Sequence, residues 1–154
     1  MDKTYKIGFT AGSFDCLHYG HVLLLQRAKT YCEKLFVAVS TNELIKSYKG
    51  IEPVMPLNNR LALINELKCV DVAVIQSKLI DIDQFQMLNC DVFFIGDDWI
   101  NRHDVPGLEW LRENNKVVFL PYTKEVSSSF IKEKIINNSE AILKAQQWRE
   151  SDAK

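Results

Sequence analysis

Two of the chain's three histidines, His18 and His21, stand three residues apart with Gly20 between them. They close the segment Thr10-Ala11-Gly12-Ser13-Phe14-Asp15-Cys16-Leu17-His18-Tyr19-Gly20-His21. At positions i and i+3 around a helix start, both imidazoles face one point. Gly12 and Gly20 let backbone approach a ligand closely, and a helix N-terminus offers unpaired N–H groups to phosphate. Imidazoles converging on a phosphate act as donors aimed at charge that develops during group transfer. The spacing is neither a Walker loop nor a G-x-G-x-x-G dinucleotide fingerprint. A two-histidine metal site would need further ligands, and no carboxylate or third histidine stands at a matching spacing, so no protein metal site is expected.

Such a loop works only if a strand delivers it and a helix receives it. Short apolar runs at Tyr5–Thr10, Leu35–Val39, Val70–Ile75, Asp91–Ile95 and Val117–Leu120 read as strands covered on both faces, being rich in Val, Ile and Phe without strict alternation. Helical spacing fills the intervals. Val22, Leu25 and Ala28 share a face in His21–Cys32, as do Leu61, Ile64 and Leu67 in Asn58–Leu67. Shorter helices fit Ile80–Leu88 and Leu108–Glu113, and a last one starts near Ser128 with Ile131, Ile135 and Ile142 on its buried side. Alternating strands and helices imply a single α/β domain, doubly wound and Rossmann-like, with a five-stranded parallel sheet. Residues 1–136 are expected to form that domain and 137–154 a C-terminal helical extension. Ligands of such sheets bind at the C-terminal strand edges, near the point where strand order reverses. The loops of interest are therefore Ala11–Gly20, Ser40–Asn59, Gln76–Lys78, Gly96–Pro106 and Pro121–Ser129.

Composition sets the outer bounds. The 154 residues are 47% hydrophobic and 25% charged, ordinary for one globular domain. Nineteen Lys+Arg against 20 Asp+Glu leave a net charge of −1, so no global field recruits nucleic acid or anionic lipid, and an anionic ligand must be met locally. Cys16, Cys32, Cys69 and Cys90 lie far apart and read as reduced thiols of a cytoplasmic protein, at least three of them buried. No signal peptide or membrane-length apolar run is evident.

Gly12-Ser13-Phe14-Asp15-x-x-His18-x-Gly20-His21 resembles the G-[ST]-F-D-x-x-H-x-G-H signature of the HxGH nucleotidyltransferases, especially the cytidylyltransferases. Lys49-Gly50-x-x-Pro53-Val54-Met55, followed by Asn59-Arg60, is similar to that family's lysine loop and the arginine opening its next helix. Gly96-Asp97-Asp98-Trp99 matches the G-D-D-W of glycerol-3-phosphate cytidylyltransferases. Leu120-Pro121-Tyr122-Thr123-Lys124-Glu125-Val126-Ser127-Ser128-Ser129-x-Ile131-Lys132-Glu133 aligns with their L-P-R-T-E-G-I-S-T-T-x-I-K-E.

The resemblance implies attack by a phosphate monoester on the α-phosphorus of CTP, with Mg²⁺ bound to the nucleotide, releasing pyrophosphate and forming a CDP-alcohol. It implies catalytic roles for His18, His21, Lys49 and Lys46, the two lysines reaching phosphates from the loop after the second strand. Nucleotide contacts are implied for Ala11, Gly12, Ser13, Phe14, Asp15 and Gly20 of the first loop. They are implied also for Arg60 as a phosphate clamp, for Gly96 and Asp97, and for Ser127, Ser128 and Ser129 at the last helix start. Lys46, Trp99 and His103 are implied on the acceptor side. The partners expected are CTP, a small phosphomonoester such as glycerol-3-phosphate or a related polyol phosphate, and a second copy in a homodimer, with no nucleic acid and no membrane. Tyr122 stands where the family has an arginine, so Lys124 or Arg102 must substitute or the nucleotide is held differently. That departure keeps two alternatives open: an adenylyltransferase using ATP, and a catalytically silent nucleotide-binding module.

Overall fold

The computed structural model describes residues 4–123 and 126–152. The chain runs β1 (Tyr5–Gly12), α1 (Tyr19–Tyr31), β2 (Cys32–Ser40), α2 (Asn42–Lys49), α3 (Leu57–Asn65), β3 (Val72–Gln76), α4 (Ile82–Met87) and β4 (Val92–Gly96). A 3-10 turn at Asp97–Trp99 leads on to α5 (Pro106–Glu113), β5 (Val117–Leu120), α6 (Ser128–Asn137) and α7 (Ser139–Asp152). The five strands form one sheet in the order β3-β2-β1-β4-β5, every neighbouring pair parallel.

Alternation across each strand feeds two cores. Val37 and Val39 of β2 and Val92 and Phe94 of β4 pack with Leu25 and Ala28 of α1 and Ile64 of α3. The intervening Ala38, Phe93 and Ile95 face the other way, onto Phe85 of α4 and Leu108 and Leu111 of α5. Both faces are covered, which is why the strands read as unbroken apolar runs.

The chain builds outward from β1 to β3, then crosses back to place β4 and β5 on the other side of β1. Strand order therefore reverses between β1 and β4. The pairing there is short: Gly8 faces Val92 and Phe9 faces Phe93, and beyond these the strands part. On its other side β1 stays paired with β2 as far as Gly12↔Val39. The split leaves an open crevice at the C-terminal edge, where such sheets bind ligands.

Three local expectations change. Residues 42–49, expected as loop, form α2. The Thr41 hydroxyl accepts from the Leu44 N–H at 3.1 Å, and Gly50 closes the helix in the left-handed conformation (φ 71°), so the short helix is capped at both ends. Ile135 and Ile142, expected on a buried face, are 49% and 39% exposed. The last helix is two, interrupted at Asn138, and among the described residues the side-chain hydrogen bonds that tie α6 to the domain come from Ser128 and Lys132, near its start. Of the cysteines, Cys32 and Cys90 are buried, each packed into one of the two cores, whereas Cys16 and Cys69 are half-buried.

Candidate active site

The crevice between β1 and β4 widens into a cleft of about 330 Å³. Its floor is the end of β1, its far wall Gly96, Asp98 and Trp99, and its rim the start of α6. The loop from β1 to α1 turns tightly, with Phe14 (φ 48°) and Cys16 (φ 50°) in the left-handed region. Non-glycine residues held there carry strain of about 1–2 kcal/mol that surrounding contacts must offset. Phe14 is buried, its ring edge-on to His21 with centroids 5.3 Å apart.

His18 is the N-cap of α1, so the helix starts two residues before the expected His21 and Gly20 lies in its first turn. A side chain at Gly20 would bring its Cβ within 3.0 Å of both His18 Nδ1 and the Val126 carbonyl oxygen. Glycine is thus required by close approach rather than by its φ angle. The two imidazoles stack, centroids 3.7 Å apart and planes 24° apart. His21 Nδ1 accepts the His18 backbone N–H at 3.3 Å. The His21 pKa is pushed down to about 3, first by burial and then by the neighbouring His18 and Lys49 charges. His21 is therefore neutral at pH 7, with its single ring proton on Nε2. Burial also lowers the His18 pKa, and its Nδ1 has no hydrogen-bond partner among the described residues.

Asp15 does a different job from the one expected. It is 3% exposed and accepts from the Val54 N–H (3.0 Å), the Met55 N–H (2.9 Å) and Lys132 Nζ (2.7 Å). Burial would raise its pKa, but the Lys132 ammonium and the two backbone donors outweigh it and hold it below the ordinary 3.8. The Ser128 hydroxyl donates to the Asp15 carbonyl oxygen. One buried aspartate thus ties the β1–α1 loop to the residues before α3 and to the first turns of α6.

The cleft wall holds His18, His21 and Lys49, with Ala11, Gly12, Ser13, Phe14, Gly20, Gly96, Trp99, Ser127, Ser128 and Ser129. Lys49 Nζ lies 3.2 Å from Ser13 Oγ, and its pKa is lowered by burial and by Lys132. Ser127 caps α6 by accepting from the Phe130 N–H.

Five expected residues lie elsewhere. Lys46 is exposed on α2, one turn before Lys49, and is paired with Glu52 at 2.9 Å rather than lining the cleft. Arg60 is fully buried: Nε donates to Met55 O (2.9 Å), Nη1 to Ser13 O and Ser40 O (both 2.7 Å), and Nη2 to Asn42 Oδ1 (2.7 Å). Four of its five N–H donors are thus engaged within the fold and the side chain is fully buried, so no paired fork faces the cleft for a bidentate phosphate clamp. Asp97 points back to accept the Tyr122 N–H, and the 3-10 turn puts Asp98 on the cleft wall instead. His103 sits outside, between Glu109 and Arg112. Asp15, as above, is beneath the wall. Tyr122 itself lines the cleft, Arg102 is engaged by Asp104 and the Trp99 ring, and Lys124 lies outside the described residues.

Tyr48, Thr10, Asp98 and Lys132 were not singled out by sequence reasoning. Lys132 had a signal, since it follows Ser128 by four residues and so shares its helix face. Among the described residues no group of three His, Cys, Asp or Glu side chains gathers to hold a metal, and no helix is long and apolar enough to cross a membrane.

A sheet split at β1 and β4, stacked imidazoles on a helix start and a serine-capped helix across the opening define a nucleotidyltransferase cleft. The sequence model of the "Cytidylyltransferase-like" family matches residues 9–145, and the chain belongs to that family. It is 36% identical over 136 residues to glycerol-3-phosphate cytidylyltransferase of Bacillus subtilis (strain 168), covering 82% of this chain and 94% of that one. It is 35% identical over 131 residues to the bifunctional protein HldE of Helicobacter pylori (strain HPAG1), covering 84% of this chain but 27% of HldE. Among solved structures, the lipopolysaccharide core biosynthesis protein of Thermoplasma volcanium GSS1 aligns with a TM-score of 0.66 at 26% identity, over 78% of this chain and 99% of that one. The chain is accordingly an enzyme of the nucleotidyltransferase type.

Proposed function

We propose that the enzyme transfers a cytidylyl group from CTP to a small phosphorylated alcohol, glycerol-3-phosphate or a related polyol phosphate, giving a CDP-alcohol and pyrophosphate. The observation that carries this reading is the placement of His18, His21, Lys49 and the α6 N-terminus around one cleft, in a chain alignable with 94% of a glycerol-3-phosphate cytidylyltransferase. An oxygen of the acceptor phosphate bonds to the α-phosphorus while the bond from that phosphorus to the pyrophosphate oxygen breaks. Positioning and charge neutralisation dominate such a transfer. His21 donates from Nε2 as a neutral imidazole, and the first N–H groups of α6 meet nucleotide phosphate. Lys49 is the one Lys or Arg on the cleft wall among the described residues, placed to gather the acceptor and α-phosphates. Asp98 is the one carboxylate there among the described residues, so Mg²⁺ is proposed to arrive as part of the nucleotide rather than in a protein site. A homodimer is part of the proposal, on the family resemblance.

Tyr122 on the cleft wall, where an arginine is expected, favours a second reading in which ATP is the donor. Pyrophosphate release with CTP and ATP in parallel, across a panel of phosphomonoesters with product masses measured, separates the two. Turnover with CTP and polyol phosphates is expected. Turnover with ATP alone supports the second reading, and tight nucleotide binding without release for any pair refutes transfer altogether.

A further inference from the structure

Past Tyr48 and Trp99 the cleft continues into a recess of about 40 Å³, sharing Ala11, Gly12 and Ile95 with the main cavity. It lies over the C-terminal ends of β2 and β3. Two side chains there are polar and buried: Ser40, 1% exposed, and Gln76, 2% exposed, facing one another in the strand register. Gln76 Nε2 donates to Ser40 Oγ at 3.1 Å, while Gln76 Oε1 has no partner among the described residues. An orphaned buried amide oxygen is a desolvation cost that folding alone gives no reason to keep. At the end of β3 a methionine, of similar length, would occupy the same place without it.

The chemistry of the recess narrows its ligand. No charged side chain lines it, so it does not hold a phosphate. Leu79, Ile80 and Phe93 make the remaining walls apolar. A water needs roughly 10–15 Å³ of such space, so the volume suits a group of two or three heavy atoms. Because the Ser40 hydroxyl both donates and accepts, either orientation of the Gln76 amide leaves one polar group free, and a hydroxyl satisfies both cases. The position is equally constraining. Gly12 and Tyr48 border the recess and also the part of the cleft holding His21 and Lys49. An acceptor phosphate on Lys49 therefore sends its carbon chain toward Gln76, away from α6.

We infer that this recess selects the acceptor: the terminal hydroxymethyl group of a polyol phosphate enters it and hydrogen-bonds to Gln76 beside Ser40, making Gln76 a specificity-determining residue. The inference rests on the polyol-phosphate reading above, and its test separates the two. With the wild-type enzyme, glycerol-3-phosphate is compared with its analogue bearing a methyl group in place of the terminal hydroxymethyl. The expected kcat/KM ratio is about 10- to 100-fold in favour of glycerol-3-phosphate, the cost of one unmet buried hydrogen bond. Gln76→Met is expected to bring that ratio to near one while leaving the KM for nucleotide unchanged. Equal use of both acceptors by the wild-type enzyme, or an equal loss on both in Gln76→Met, overturns the inference. Thermal melts with each phosphate, and with inorganic phosphate as control, decide the matter if no acceptor turns over. A larger upward shift with glycerol-3-phosphate than with the methyl analogue supports the recess even when the transfer reading has failed. Equal shifts overturn the recess alone.

Discussion

Replacing Arg60 by methionine separates a buried pin from a phosphate clamp. The side chain is fully buried and makes four hydrogen bonds of 2.7–2.9 Å to Met55, Ser13, Ser40 and Asn42. Hydrogen bonds to a charged donor contribute roughly 1.5–3 kcal/mol each, but carbonyl oxygens keep a second lone pair and the buried charge itself carries a desolvation cost. The net loss expected for Arg60→Met is therefore about 3–5 kcal/mol. For a chain of this size each kcal/mol moves Tm by roughly 2–4 °C, so the melt should fall by about 10 °C. Arg60→Lys restores charge without the planar fork and should recover only part of the loss. Calorimetry beside a pyrophosphate-release assay reads both consequences. If Arg60→Met melts within about 2 °C of wild type yet loses turnover, the guanidinium is a ligand contact and the reasoning fails.

Three further outcomes are expected. His18→Ala and His21→Ala should each stay folded by circular dichroism and lose roughly 10²–10³-fold in turnover; wild-type rates in either remove these residues from the chemistry. Both histidines have pKa values below the ordinary 6.5, so below that pH the unfolded chain binds protons the native state refuses. Stability is thus complete above about pH 6.5 and declines as pH falls, by about 1.4 kcal/mol per unit for His21. A Tm unchanged between about pH 7 and about pH 4.5 would contradict this. Tyr122→Arg, adding a cation to a cleft wall with one described lysine, should lower the KM for its nucleotide about tenfold; an unchanged KM places the triphosphate away from residue 122.

The sheet is legible in the sequence because each strand carries a run dominated by Val, Ile, Leu, Phe and Ala, as strands packed between helices must, and even the edge strand β3, with Val72 and Ile75 exposed, keeps that composition. The first loop is legible for a similar reason: His18, Gly20 and His21 lie within one turn, so local geometry fixes their relation. Long side chains are another matter. Nothing in the spacing of Arg60 says that the carbonyls of Ser13 and Ser40, far apart in the chain, converge beneath it. Asp97 and Asp98 differ by one step of a 3-10 turn, which decides the one on the wall. Lys46 and Lys49 look equivalent in a loop, but on α2 only one faces the cleft. Gln76 ends an apolar run and gives no sign of its orphaned oxygen. Ile135 and Ile142 have core-like spacing, yet both are exposed, and among the described residues the side-chain hydrogen bonds from α6 to the domain come from its first turns.

The parting of β1 from β4 has a consequence for how this scaffold changes with time. After Phe9 and Phe93 the two strands cease to satisfy each other, so main-chain groups along Thr10–Gly12 and Ile95–Gly96 border the ligand space. Unlike side chains, these groups survive almost any substitution. A border made of peptide groups is one that mutation cannot delete, whereas the side chains beside it, such as Tyr122 and Gln76, can be exchanged one at a time. Single replacements on that wall can therefore reshape the ligand space while the backbone edge left by the split stays as it is.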